Sequence, residues 1–221
     1  MEFSSRIQTI GDFIVGGEKI ADIGADHGLL ELYLLAKHDD IEILAIENKI
    51  GPYNILDLNL RGVSKVKMSL SNGLEAVDDN IDTVIIAGMG GINIRNILNA
   101  YPEKVKKLNK IIIDAHRDTQ IARTTIVNYG FKIAKEKIVY DNEKFYVVME
   151  FVKEDKVEKY SEDELQFGYK LYEDKLWPKY SKYLINRNKN IVCKIRNRNG
   201  EQDKVLKLQN LNERLTNYGK D

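Results

Sequence analysis

The chain has 221 residues, 43% of them hydrophobic, with 34 Lys and Arg against 34 Asp and Glu, enough for one domain of about 150 residues plus a smaller appendage. No apolar run approaches the roughly 20 residues that span a bilayer, and Met1–Arg6 lacks the apolar core of a signal peptide. The lone Cys193 excludes an internal disulfide, and His27, His38 and His116 have no metal-ligand spacing; a monomeric cytoplasmic protein with no metal and no membrane partner is expected.

Through residue 153, short β-branched runs alternate with amphipathic stretches, the pattern of strands joined by helices in a mostly parallel sheet. Strands are predicted at about 19–24, 42–47, 66–71, 82–88, 110–116, 132–140 and 144–152. Only Asp141-Asn142-Glu143-Lys144 joins the last two, which permits nothing but an antiparallel hairpin. Five parallel strands and a hairpin predict an α/β fold of the class I, Rossmann-like methyltransferase type, a seven-stranded sheet whose final strand inserts antiparallel, over residues 1–153.

From residue 154 to 221 the period becomes helical. Leu165, Tyr169, Tyr172, Leu176, Tyr180 and Tyr183 recur at three- and four-residue steps, and Val205, Leu208, Leu211 and Leu215 repeat the pattern. Two helices in an antiparallel hairpin, joined through 186–200, are expected, with the tyrosines serving as packing. Charge is unevenly divided: 18 Lys and Arg face 22 Asp and Glu in residues 1–150, and 16 face 12 in residues 151–221. No acid lies between Asp174 and Glu201, whereas Lys175, Lys179, Lys182, Arg187, Lys189, Lys194, Arg196 and Arg198 do. Such a run attracts polyanions, the alternative being a solvated helix face; Arg6 is expected to extend the basic surface to the mouth of the catalytic site, the alternative being a pairing at an N-terminal helix cap.

The chemistry concentrates at strand ends. Lys19-Ile20-Ala21-Asp22-Ile23-Gly24-Ala25-Asp26-His27-Gly28 reads as a strand running into a glycine turn that opens a helix, with Gly24 and Gly28 letting backbone approach a ligand. A dinucleotide site would space its glycines as G-x-G-x-x-G. Here Asp22 precedes the first glycine, which disfavours a pyrophosphate and suits a ligand carrying an ammonium and a sulfonium, hence S-adenosylmethionine. Glu47 closes the second strand at the position that bonds ribose hydroxyls, with Asn48 beside it. Asn72, followed by Gly73, closes the third and suits an adenine amine. The fourth runs into Ala87-Gly88-Met89-Gly90-Gly91, which should border both cofactor and substrate, although Met89 also serves for packing. Singly, Asp22 could cap a turn and Glu47 could be a solvated strand end; four sites at successive strand ends, in the order one ligand demands, argue for a joint role.

At these residues the chain resembles the TrmK family, bacterial enzymes that methylate N1 of adenine-22 in tRNA. The matching segments are Ser5-Arg6-Ile7, Ala21-Asp22-Ile23-Gly24-x-Asp26-His27, Ile86-Ala87-Gly88-Met89-Gly90-Gly91, Arg123 before Gly130-Phe131, Glu136 and Tyr146. The chain departs from the family at Leu29, Glu31 and Asp114-Ala115-His116. The resemblance implies tRNA as partner, S-adenosylhomocysteine as product and a coiled-coil-like C-terminal appendage. Adenine N1 carries its own lone pair, so positioning should dominate over base catalysis. Asp26 is the candidate for stabilising the cationic product, with His27 orienting it or the base; the structural alternative is that Asp26 caps the following helix. A methyltransferase acting on another RNA base or a small molecule, and a non-catalytic RNA-binding module with a vestigial pocket, are the competing readings.

Overall fold

The structure, a computed structural model, describes residues 2–155, 159–196 and 202–220. It divides into two compact units, Met1–Lys159 and Tyr160–Asp221. In the first, the chain runs α1 (Ser5–Gly11), β1 (Lys19–Ile23), α2 (Leu29–Lys37), β2 (Glu42–Glu47), α3 (Ile50–Leu60), β3 (Val66–Leu70) and β4 (Thr83–Met89). It continues through α4 (Gly91–Ala100), α5 (Pro102–Val105), β5 (Lys110–Ala115), α6 (Thr119–Asn128), β6 (Phe131–Asp141) and β7 (Lys144–Lys153). The strands form one seven-stranded sheet in the order β3-β2-β1-β4-β5-β7-β6. The pairs among β1 to β5 are parallel, while β7 runs antiparallel between β5 and β6, as the hairpin in the sequence requires.

Strand composition follows burial. The six residues of β5, Lys-Ile-Ile-Ile-Asp-Ala, are all buried, as befits a strand in the interior of a parallel sheet. Lys110 tolerates this because its ammonium bonds the Phe13 carbonyl at 2.9 Å and pairs with Glu18 and Glu150. Ile10, Phe13 and Ile14, in and just after α1, join Leu30 and Leu34 of α2 in packing against Ile20, Ile43, Ile85 and Ile112, each large side chain contributing about 1.5–3 kcal/mol by leaving water. Arg123 of α6 and Glu136 of β6 form a fully buried ion pair at 2.7 Å, which fixes that helix to the hairpin.

Sequence order reverses beside β1: β2 and β3 lie to one side, β4 and β5 to the other. Chain ends diverge at such a switch point and leave a crevice beyond the carboxyl ends of the strands. The β4–β5 pairing slips between Ala87 and Met89, where Gly88 takes φ 78°. That bulge turns the end of β4 toward the crevice.

The second unit holds α7 (Glu162–Phe167), a 3₁₀ turn at Leu171–Glu173, α8 (Trp177–Arg196) and α9 (Gln202–Asn217). Here the expected helix pair needs correction at both ends. The stripe from Leu165 to Tyr183 is not one helix: α7, opened by a Ser161/Glu164 capping box, stops at Gly168 with φ 118°, and Lys170 is left-handed at φ 54°. Pro178 is tolerated only because it sits in the first turn of α8. Conversely, 186–196, read as connection, remains helical because Asn188 and Val192 are buried on the inner face. Asn188 Nδ2 donates to Asn212 Oδ1 at 2.9 Å, mid-helix on both sides, the register of two antiparallel helices. Arg214 Nε donates to Asp163 Oδ1 at 2.7 Å, and Phe167, Tyr172, Trp177, Tyr180 and Tyr218 form a chain of ring contacts. Among the described residues no helix is long and apolar enough to cross a membrane.

Candidate active site

A cavity of about 800 Å³ opens at the switch point, within the size range of small-molecule sites. Of the residues singled out in the sequence, Asp22, Gly24, Asp26, His27, Glu47, Asn48, Asn72, Gly73, Ala87, Gly88, Met89 and Arg6 all line it. Gly28 does not. A Cβ there would stand 2.9 Å from two atoms of Leu60, and at φ 76° this glycine forms the left-handed N-cap of α2; its job is to let α2 close onto α3, not to admit a ligand. Gly24 does line the cavity, and at φ 85° an added Cβ would lie 2.7 Å from the Met89 methyl.

Asp22 is the buried floor of the cavity. Desolvation pushes its carboxyl up to about 7, opposed by the facing Glu31 carboxyl and the positive charge of Arg6 and reinforced by the negative charge of Glu47. Glu31, in the first turn of α2, is completely buried, and burial first, the Asp22 charge second, push its carboxyl well above the usual range. In the sequence Glu31 stood out only as a departure from the family and received no role, although an acid inside the apolar run Leu29–Leu35 was a signal of a buried charge.

At the end of β2 the Glu47 carboxylate accepts hydrogen bonds from the amides of Asn48 and Lys49, both at 2.9 Å and both through Oε1. This pins one of its two oxygens. Asn48 Nδ2 donates to Asn72 Oδ1 at 3.2 Å, so the two amides lock each other at the ends of β2 and β3, and Gly73 turns the chain at φ 53°. No group of three or more His, Cys, Asp or Glu side chains converges as a metal site among the described residues.

Asp26 is left-handed at φ 51°, a conformation Asp tolerates better than most residues. It does not cap α2, since Gly28 holds that position with no side-chain cap. Its exposed Oδ1 lies 3.6 Å from His27 Nε2, and the His27 carbonyl accepts from Asn59 Nδ2 at 2.8 Å. Arg6 and His116, which also line the cavity, belong to a cluster that linear reading could not assemble. Arg6 Nε donates to Asp114 Oδ2 across 108 residues, and the guanidinium sits 5.2 Å from the Tyr146 ring centre. His116 packs edge-on to Tyr146 at 5.3 Å, with Nε2 3.6 Å from Asp114 Oδ2. Arg6 therefore belongs to the cavity wall, with its charge countered by a carboxylate.

In the second unit Lys175, Lys179, Lys182, Arg187, Lys189 and Lys194 are all exposed. At 3.6 residues per turn Lys179 and Lys182 fall opposite the buried Trp177, Tyr180, Asn188 and Val192, whereas Lys189, Arg187 and Lys194 lie on the flanks of that apolar side. The side chain of Arg196 and the whole of Arg198 lie outside the described residues.

The family model described as "Methyltransferase domain" matches residues 3–149. The tRNA (adenine(22)-N(1))-methyltransferase of Bacillus subtilis (strain 168) is 28% identical over 153 residues, 67% of this chain and 64% of that protein, so the match spans just under two thirds of the relative's length. The structure of M. capricolum TrmK in complex with the cofactor product S-adenosyl-homocysteine superposes with a TM-score of 0.84 at 28% identity, over 99% of this chain and 98% of that one. The B. subtilis M1A22 tRNA methyltransferase TrmK has the same fold, with a TM-score of 0.82 at 23% identity over 97% of each chain. The TrmK resemblance carried by the turns after β1 and β4 is thereby borne out. A sheet of this order, with its crevice at the switch point and a family model running from α1 to the last strand, leaves one assignment: the chain belongs to the methyltransferase domain family.

Proposed function

We propose that this protein transfers a methyl group from S-adenosylmethionine to N1 of adenine-22 in tRNA. The observation that carries the reading is the order of polar groups along the sheet edge. A buried acid with no dedicated cation (Asp22), a carboxylate with one oxygen pinned (Glu47) and a side-chain amide (Asn72) stand at the ends of β1, β2 and β3. An ammonium, a ribose diol and an adenine edge need those groups in that sequence. The M. capricolum relative, similar over nearly the whole chain, was solved with S-adenosyl-homocysteine, which supports the same ligand here.

The cofactor supplies an electrophilic methyl group. What the chain contributes is placement: Gly24 and Gly88 keep the cavity clear of Cβ atoms, and Met89 closes its side next to Gly24. The adenine N1 lone pair needs no base, so Asp26 acts electrostatically on the positive charge left on the ring, with His27 orienting it. Residues 1–153 form the catalytic domain in this reading and 154–221 the RNA-binding domain, with the exposed cations of α8 meeting phosphates. A monomeric, cytoplasmic enzyme goes with it.

The test is transfer of labelled methyl from S-adenosylmethionine to unmodified tRNA, comparing transcripts with adenine or guanine at position 22. Label only with adenine, lost in Asp22→Ala, is the expected result. Equal label in both transcripts overturns the base assignment. Cofactor binding without any transfer would make the chain a binding module.

A further inference from the structure

Behind Asp22 stands an acid that this reaction does not use. Glu31 is fully buried, and neither of its carboxyl oxygens meets a donor from another residue among those described. It faces the Asp22 carboxyl, and Asp22, not Glu31, lines the cavity. The other charges acting on Asp22 are Arg6 from α1 and Glu47 from β2. Arg6 is bound to Asp114 and Glu47 to two backbone amides, so no cation is dedicated to the pair. Two carboxylates in contact in a dry site cannot both be ionised; one proton has to stay. The deeper acid keeps it and the cavity-facing acid gives its own up first.

We propose that Glu31 is a positioning residue for the cofactor: held neutral behind Asp22, it donates a hydrogen bond that aims the Asp22 carboxylate, and arrival of the ligand's ammonium at Asp22 expels one proton to solvent. This rests on the cofactor reading above. The balance is simple. Before binding, Glu31 carries a proton and Asp22 carries one in part of the population. After binding, Glu31 keeps its proton, Asp22 is a carboxylate and the ammonium is its counter-charge. Burial places the Asp22 transition near neutrality, so the exchange falls in the accessible range.

Calorimetric titration of S-adenosylhomocysteine into the full-length protein, in two buffers of different ionisation enthalpy, counts the protons. Close to one proton released per ligand is expected at pH 6.0 and almost none at pH 8.0, with affinity rising roughly tenfold between them by linkage. Asp22→Asn should abolish the release. Glu31→Gln, which still donates, should bind within about threefold of wild type and release the proton as before. Glu31→Leu, which cannot donate, should weaken binding at pH 7 roughly ten- to a hundredfold and move the release to higher pH.

Binding without proton exchange at pH 6.0 overturns the proposal while leaving the cofactor assignment intact. So does a Gln variant as impaired as the Leu variant, since the negative charge of Glu31 would then be what matters. A Leu variant weakened equally at every pH would make Glu31 merely structural. If the Leu variant does not fold, the wild-type proton count and the Gln variant decide. No binding of S-adenosylhomocysteine by the wild type at any pH overturns the cofactor reading, and this inference with it.

Discussion

Asp114→Ala tests how the wall of the cavity is held. The Asp114 carboxylate is completely buried, accepts from Arg6 Nε and lies 3.6 Å from His116 Nε2, while Arg6 keeps 26% of its side chain exposed. Deleting one partner of a buried pair costs roughly 3–5 kcal/mol when the survivor is trapped. Arg6 can turn partly to water, and Asp114 Oδ1 has no partner to lose, so a lower figure of about 2–3 kcal/mol applies. At roughly 2–4 °C per kcal/mol for a chain of this size, Tm should fall by about 4–12 °C. Asp114→Asn, which retains shape and an acceptor, should lose about 1 kcal/mol. Thermal melts of Arg6→Ala, Asp114→Ala and the double variant close a cycle. The double variant should be less destabilised than the summed singles by about 1 kcal/mol or more. Additivity within about 0.5 kcal/mol would show that Arg6 and Asp114 do not act as a pair and would refute the account of this wall.

Glu136→Ala, which removes one side of the buried pair with Arg123, should cost about 3–5 kcal/mol in urea unfolding, and Arg123→Met combined with Glu136→Leu should recover most of it. The raised carboxyls of Asp22 and Glu31 stabilise the ligand-free fold at acid pH. That contribution is complete below the ordinary carboxylate value of about 4 and fades as pH rises through about 7. Melts of Asp22→Asn against wild type should therefore show an advantage for the variant that grows from pH 5 to pH 8. Gly24→Ala combines a left-handed φ of 85° with the Met89 methyl 2.7 Å from the new Cβ; it should cost about 1–2 kcal/mol in stability and at least tenfold in S-adenosylhomocysteine affinity by titration. Replacing Lys179, Lys182, Lys189 and Lys194 by Gln should weaken tRNA binding in filter assays and flatten its salt dependence by roughly 0.7–0.9 per lost phosphate contact, with S-adenosylhomocysteine affinity unchanged.

What the sequence determined by itself was set by short-range physics. β-branched runs of strand length, a short polar connection after Tyr140 and a glycine-containing turn after Ile23 are each decided within a few residues, so the seven strands and the antiparallel hairpin were legible before any packing was known. The same holds for Asp22, Glu47 and Asn72, because a strand end in a parallel sheet faces the crevice whatever else the chain does. The C-terminal stripe misled because periodicity does not register a stop: Gly168 and Lys170 leave the right-handed region, and the stripe is divided between a short helix, a 3₁₀ turn and α8. Only the tertiary structure could assign Gly28 to the α2–α3 contact, oppose Glu31 to Asp22, and bring Arg6, Asp114, His116 and Tyr146 to one wall. Those relations join residues up to 140 positions apart, and their energy comes from excluding water around facing charges and rings, which exists only once the sheet order has placed them side by side.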